Sequence, residues 1–127
     1  MGLFSGLLGL ASDVDVGAVR RDLEPILLPE EEVDLAFAVI RDLFVFTSHR
    51  LILVDKQGMT GRKREIVSLP YRSITMFSVE NAGTFDTDSE LKIWISSQGV
   101  PLVKTLSRGT NITGIQQALA KGVLGRK

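Results

Sequence analysis

The stretch FVFTSHRLILVDKQG, residues 44–58, decides how this chain folds. Two apolar runs, LFVF at 43–46 and LILV at 51–54, flank Thr47, Ser48, His49 and Arg50. Runs of that length suit strands, and the polar residues between them suit a hairpin turn braced by hydroxyl-to-backbone bonds. The runs are apolar at every position. A strand with one wet face alternates instead, because successive side chains point to opposite faces. Both faces of this hairpin therefore need cover. The core covers one face, and either the N-terminal part of the chain or a second subunit covers the other. Left bare, that second face is a sticky apolar surface.

His49 is the only histidine of the chain, beside Ser48 and near Asp55. A catalytic triad needs a nucleophile bonded to a base and a base oriented by an acid. Adjacent side chains on a strand point apart, and in a tight turn they also diverge. The glycine-flanked elbow that exposes a nucleophilic serine is absent. The turn reading is preferred, no residue is assigned a catalytic role, and no enzyme activity is expected.

The 127 residues suit one domain with its own core, and 44% hydrophobic with 24% charged residues fit a soluble globular class. Lys plus Arg equals Asp plus Glu at 15 each, which leaves no electrostatic footprint for nucleic acid. The absence of cysteine removes disulfides, thiolate metal sites and a cysteine nucleophile, and fits a cytoplasmic setting.

The opening MGLFSGLLGLAS is apolar, too short to span a bilayer, and without the charged start of a signal peptide. Gly6 stands where a myristoylation signal has Ser or Thr. The segment is expected to stay on the protein and to pack on the domain, on a partner subunit or on a membrane surface, with packing on protein preferred. Its first cation is Arg20.

Residues 12–24 place Val16, Val19 and Leu23 at helical spacing, with Ser12, Asp13 or Asp15 as caps and Pro25 and Pro29 as stops. Glu30, Glu31 and Glu32 read as a solvated loop. Strands are predicted at 33–40, with Val33, Leu35, Phe37 and Val39 on one face, and on both sides of the turn. Four more are predicted at 66–70, 74–81, 90–97 and 100–106. Residues 109–127 read as a helix, capped by Thr110 or Asn111, with Ile112, Ile115, Leu119 and Val123 as its apolar stripe. Seven strands and a closing helix imply an antiparallel sandwich or barrel with one end covered.

Asp86, Asp88 and Glu90 faintly resemble a calcium loop, but its central glycine and distant glutamate are missing. One histidine does not make a zinc site, so neither a metal nor a cofactor is expected. Trp94 belongs on a sheet face, as core or as partner anchor. The basic run at 61–64 reads first as a solvated hairpin loop, and three cations so close together can also hold an anionic group.

The segments RDLFVFTSHRLILVDKQGMTGRKREIVSLPYRSITMFSVENAG and FDTDSELKIWIS resemble the bacterial pleckstrin-homology (PH) domain family, which is related to GRAM domains. The shared motifs are the T-x-x-R-L turn, LVDKQG, a G-[KR]-[KR] loop, PYRSI and ELKIW, and the likeness runs over residues 15–122. It implies a PH-like fold: two near-orthogonal antiparallel sheets with a C-terminal helix plugging one end. It also implies a non-enzymatic module, some of whose relatives form ring-shaped homo-oligomers. Lipid-binding PH domains hold inositol phosphates on a long loop between the first two strands. Here that connection is only Ile40, Arg41 and Asp42, which argues against such a ligand.

The expected fold class is thus mainly β, a PH-like barrel of seven antiparallel strands with a C-terminal and an N-terminal helix. Residues 1–30 form the helical segment that packs on the domain or a partner subunit, and 31–127 the PH-like domain. The expected function is a self-associating interaction or scaffold module. Its homo-oligomer interface is placed at Leu3, Phe4, Leu7, Leu8, Phe44, Phe46, Ile52 and Val54. The alternative is a peripheral membrane module. In that case the apolar N-terminus MGLFSGLLGL inserts, and Arg41, Arg62, Lys63 and Arg64 meet anionic headgroups at one open end.

Overall fold

The structure is a computed structural model that describes residues 15–39, 42–57, 63–80 and 88–125. Its strands are β1 (Val33–Val39), β2 (Asp42–Thr47), β3 (Arg50–Gln57), β4 (Lys63–Pro70), β5 (Ile74–Glu80), β6 (Ser89–Ile95) and β7 (Leu102–Leu106). Helix α1 spans Val16–Leu23 and α2 spans Ile112–Leu124. Strands β1 to β4 form one antiparallel sheet in chain order, and β5 to β7 form a second. This is the mainly β, two-sheet, helix-capped architecture that the strand pattern implied.

The β2–β3 hairpin pairs Phe44 with Leu53 and Phe46 with Leu51, and these four face the core between the sheets. Val45 pairs with Ile52 and Leu43 with Val54, and this second set faces outward. Helix α1 lies over that outer set with Val19 and Leu23 buried against it. The in-chain cover is therefore the one realised. Asp15 caps α1 by accepting from the Gly17 N–H at 2.9 Å, and Pro25 lies in a short 3-10 turn that ends it.

Of the expected interface residues, Phe44, Phe46, Ile52 and Val54 are buried within the single chain. Their exposures are 0, 2, 0 and 1%, Phe44 and Phe46 in the core between the sheets and Ile52 and Val54 under α1. Leu3, Phe4, Leu7 and Leu8 lie outside the described residues.

Strand β1 departs from simple alternation. Val33 pairs with Thr47 and Leu35 with Phe46, so two steps on β1 meet one on β2. This bulge at Asp34 turns Val33 to the α1 side, where it packs with Ala36, while Phe37 and Val39 face the core. Leu35 is left 43% exposed.

Helix α2 closes one end of the core with Ile115, Ala118 and Leu119 buried, and Ile112 and Val123 packed beside them. Asn111 is its cap, accepting from the Gly114 N–H at 2.9 Å. Tyr71 lies so close to Gly122 that any side chain there would run into its ring. The tyrosine hydroxyl reaches on to donate to the Thr47 carbonyl at 2.7 Å. Strand β6 stops at Ile95 rather than 97, because Ser97 takes a left-handed backbone with φ of 74°.

Candidate interaction surfaces

The turn that opened the sequence reading is two residues long, between Thr47 and Arg50. Two-residue hairpin loops favour positive φ, yet neither Ser48 nor His49 has it. The Thr47 hydroxyl supplies the brace instead, accepting from the His49 and Arg50 N–H groups at 3.0 Å each. The turn also brings Ser48 Oγ within 2.8 Å of His49 Nδ1, so the expectation that these neighbours diverge is corrected. His49 Nε2 lies 3.9 Å from Glu30 Oε2.

A nucleophilic serine needs donors aimed at the developing oxyanion. The Ser48 N–H is spent on the Glu32 carbonyl at 2.9 Å, and those of His49 and Arg50 on Thr47. Ser48 Oγ itself accepts from the Glu32 N–H at 3.0 Å. The constellation therefore organises a turn, and the turn offers no oxyanion hole.

Behind it lies a buried ion pair that the sequence reading missed. Glu31, read as part of a solvated loop, is 1% exposed. Its Oε2 accepts from Arg50 Nε at 2.8 Å and from the Thr47 hydroxyl at 2.6 Å. Its Oε1 accepts from Arg50 Nη2 at 2.9 Å and from the Leu28 N–H at 3.1 Å. Burial pushes this carboxyl up, but the Arg50 guanidinium, the Thr47 hydroxyl and the Leu28 amide outweigh it and hold the pKa at about 2. Arg50 also donates to the Ile26 carbonyl and to Ser68 Oγ, and Arg20 donates to the Glu31 carbonyl. The pair thus ties α1, the segment after it and the β2–β3 hairpin into one unit.

The expected anionic site is only partly in view. Arg41 and Arg62 lie outside the described residues, as does the Lys63 side chain. Lys63 and Arg64 belong to β4 rather than to a loop, because Gln57 and Lys56 extend β3 to pair with them. Arg64 is exposed. Lys104 on β7 pairs with Asp42 on β2 at 3.3 Å, linking the two sheets near that end. Of the calcium-like run, Asp86 is outside the described residues and Asp88 accepts from the Arg108 N–H at 3.2 Å. Among the described residues no three His, Cys, Asp or Glu side chains are grouped to hold a metal ion, and no helix is long and apolar enough to cross a membrane.

Two further surfaces emerge. On the outer face of β5–β7, Met76 pairs with Trp94, and Val103 lies diagonally across from that tryptophan, opposite Lys92. Met76 is 51% and Val103 45% exposed. At the α2-capped end, a cavity of about 700 Å³ opens between β1, the end of β2, Tyr71 and the last turns of α2.

The sequence profile described as "Bacterial PH domain" matches residues 2–123. The uncharacterized protein YjqA of Bacillus subtilis (strain 168) is 55% identical over 121 residues, covering 94% of this chain and 97% of that one. A second uncharacterized Bacillus subtilis (strain 168) protein, YozO, is 29% identical over 121 residues, covering 95% of this chain and 96% of its own. The crystal structure of a pleckstrin homology domain from Shewanella amazonensis SB2B is 56% identical and superposes with a TM-score of 0.86, covering 98% of this chain and 100% of that one. A PH domain containing protein from Exiguobacterium sibiricum 255-15 is only 21% identical, covers 88% of this chain and 62% of its own, and with a TM-score of 0.60 shares the fold. By profile, close relatives and fold alike, the chain belongs to the bacterial PH domain family.

Proposed function

We propose that this PH-like domain is a non-enzymatic interaction module that self-associates, its copies meeting through the outer face of β5–β7. One observation carries the reading. The four-stranded sheet has its outer face covered over β1–β3 by the chain's own α1, with Ile66 on β4 left 38% exposed. The three-stranded sheet has Met76, Trp94 and Val103 together on its outer face, with Met76 and Val103 about half exposed. A tryptophan flanked by exposed aliphatic side chains is the kind of anchor that dominates interface energetics. Leu3, Phe4, Leu7 and Leu8, outside the described residues, are proposed to supply further apolar area toward a standard interface of roughly 1,600 Å².

Light scattering of the purified chain tests this. The expected mass at micromolar concentration is a multiple of 13.9 kDa, and the M76E/V103E double variant is expected to run as a monomer with an unchanged circular dichroism spectrum. A strictly monomeric parent chain sinks the proposal. If that monomer sediments with anionic vesicles at low salt, the peripheral-membrane reading through Arg41, Arg62, Lys63 and Arg64 replaces it.

A further inference from the structure

The cavity at the α2-capped end is a second surface, distinct from the outer face of β5–β7. At about 700 Å³ it is of the size that small-ligand and side-chain clefts have, roughly 300–1,000 Å³. Leu35, Phe46 and Ala118 give it an apolar floor, and the Tyr71 ring, pinned between Gly122 and the Thr47 carbonyl, gives it a fixed aromatic wall. Leu35 shares a face with Phe37 and Val39 by regular alternation, and it stands 43% exposed where those two are buried. Among the described residues β1 pairs only with β2, and no described strand closes the cavity on its outer side.

The charge of the rim narrows the occupant. Glu32 and Asp34 are both exposed and both line the cavity, and neither has an ion-pair partner among the described residues. Lys121, on α2, is the one cation among the described lining residues. Burial first and the Asp34 carboxylate second push the Tyr71 hydroxyl above its ordinary range, so the field of Asp34 reaches the aromatic wall. Glu32 and Asp34 repel an anionic ligand, whereas a cation beside an apolar group finds two carboxylates next to apolar side chains.

We infer that this cavity binds a short peptide segment that enters over the β1 edge, seats an apolar side chain on Leu35, Phe46 and Tyr71, and sets a neighbouring basic side chain against Glu32 and Asp34. A peptide fits better than a compact small molecule because the cavity is open to solvent along one side and flanked by an edge strand, where a chain can continue outward. The inference goes beyond self-association, since the site is on the other sheet and survives a monomeric result.

The test titrates the ¹⁵N-labelled chain with the capped pentapeptide Ser-Arg-Leu-Arg-Ser, and separately with Ser-Glu-Leu-Glu-Ser, following amide shifts. The expected result is shifts centred on Leu35, Tyr71 and Gly122, with the arginine peptide bound about tenfold more tightly, a difference that charge-assisted hydrogen bonds readily supply. The E32Q/D34N double variant changes only exposed side chains, leaves the Glu32 backbone bonds to Ser48 in place, and is expected to abolish the preference. L35A is expected to weaken both peptides with the melting temperature unchanged. Equal binding of the two peptides, shifts centred elsewhere, or no shift at a peptide concentration of about 1 mM overturns the inference.

Discussion

Glu31 carries its charge with its side chain wholly out of water, and Arg50, 20% exposed, is its partner. Taking two charges from water costs several kcal/mol per ion, repaid only when geometry is good and every lone pair is used. Here each carboxylate oxygen accepts two hydrogen bonds, and no buried side-chain polar atom among the described residues lacks a partner. Removing one partner strands the other, so E31A is expected to lower unfolding free energy by about 3–5 kcal/mol in urea titrations. The pH dependence follows from the depressed pKa. Folding lowers the Glu31 pKa from 4.5 to about 2, so the unfolded chain takes up the proton first as pH falls. The stabilisation is full above pH 4.5 and is lost on the way down to about 2. Its size is about 3 kcal/mol, and the difference between the parent chain and E31Q isolates it from the other carboxylates. A flat difference between the two chains across that window refutes the assignment. The sequence hid this residue because three consecutive glutamates look alike. Its partner lies 19 positions away, and the one signal was a guanidinium placed directly before the apolar run Leu51–Val54.

The elements were more legible than the residues that lock them. Seven strands and two helices were readable because each is a short apolar run bounded by turn residues or a 3.6-residue stripe with a cap. The unbroken hydrophobicity of β2 and β3 told that their outer face is covered, but not by what, since a helix and a subunit bury the same Val45, Ile52 and Val54. Val33 was placed on the wrong face because alternation presumes a regular ladder, and one extra residue at Asp34 reverses everything before it. Cover by α1 makes a prediction at its own scale. Leu23 is 3% exposed, on the buried face of an eight-residue helix too short to persist alone. L23A is expected to cost about 2–5 kcal/mol and to raise amide exchange first in α1 and then at Val45 and Ile52. Exchange that stays uniform across the chain means that α1 is not a separable cover. At the other end, N111A removes the α2 cap and is expected to cost about 1 kcal/mol, read as a lower urea midpoint with unchanged slope.

At the scale of the whole molecule, the two sheets meet over one core that α2 plugs and that the Lys104–Asp42 pair crosses near the other end. The two sheets and the plugging helix were implied by strand count and family resemblance together; the ion pair was not. The candidate surfaces were not, because each depends on register. Met76, Trp94 and Val103 share a face only through the β5–β6–β7 pairing, and Glu32, Asp34 and Leu35 meet Tyr71 only across the fold. Self-association through the first of these surfaces has a thermodynamic consequence independent of any mass measurement. If copies bind one another when folded and not when unfolded, mass action couples assembly to stability. Raising the chain concentration a hundredfold then adds up to about 2.7 kcal/mol per bound site, which for a domain of this size raises the melting temperature by several degrees. The parent chain is expected to show that rise, and M76E/V103E to melt at one temperature throughout. A melting temperature independent of concentration in both chains would mean that the bare face of β5–β7 meets only water.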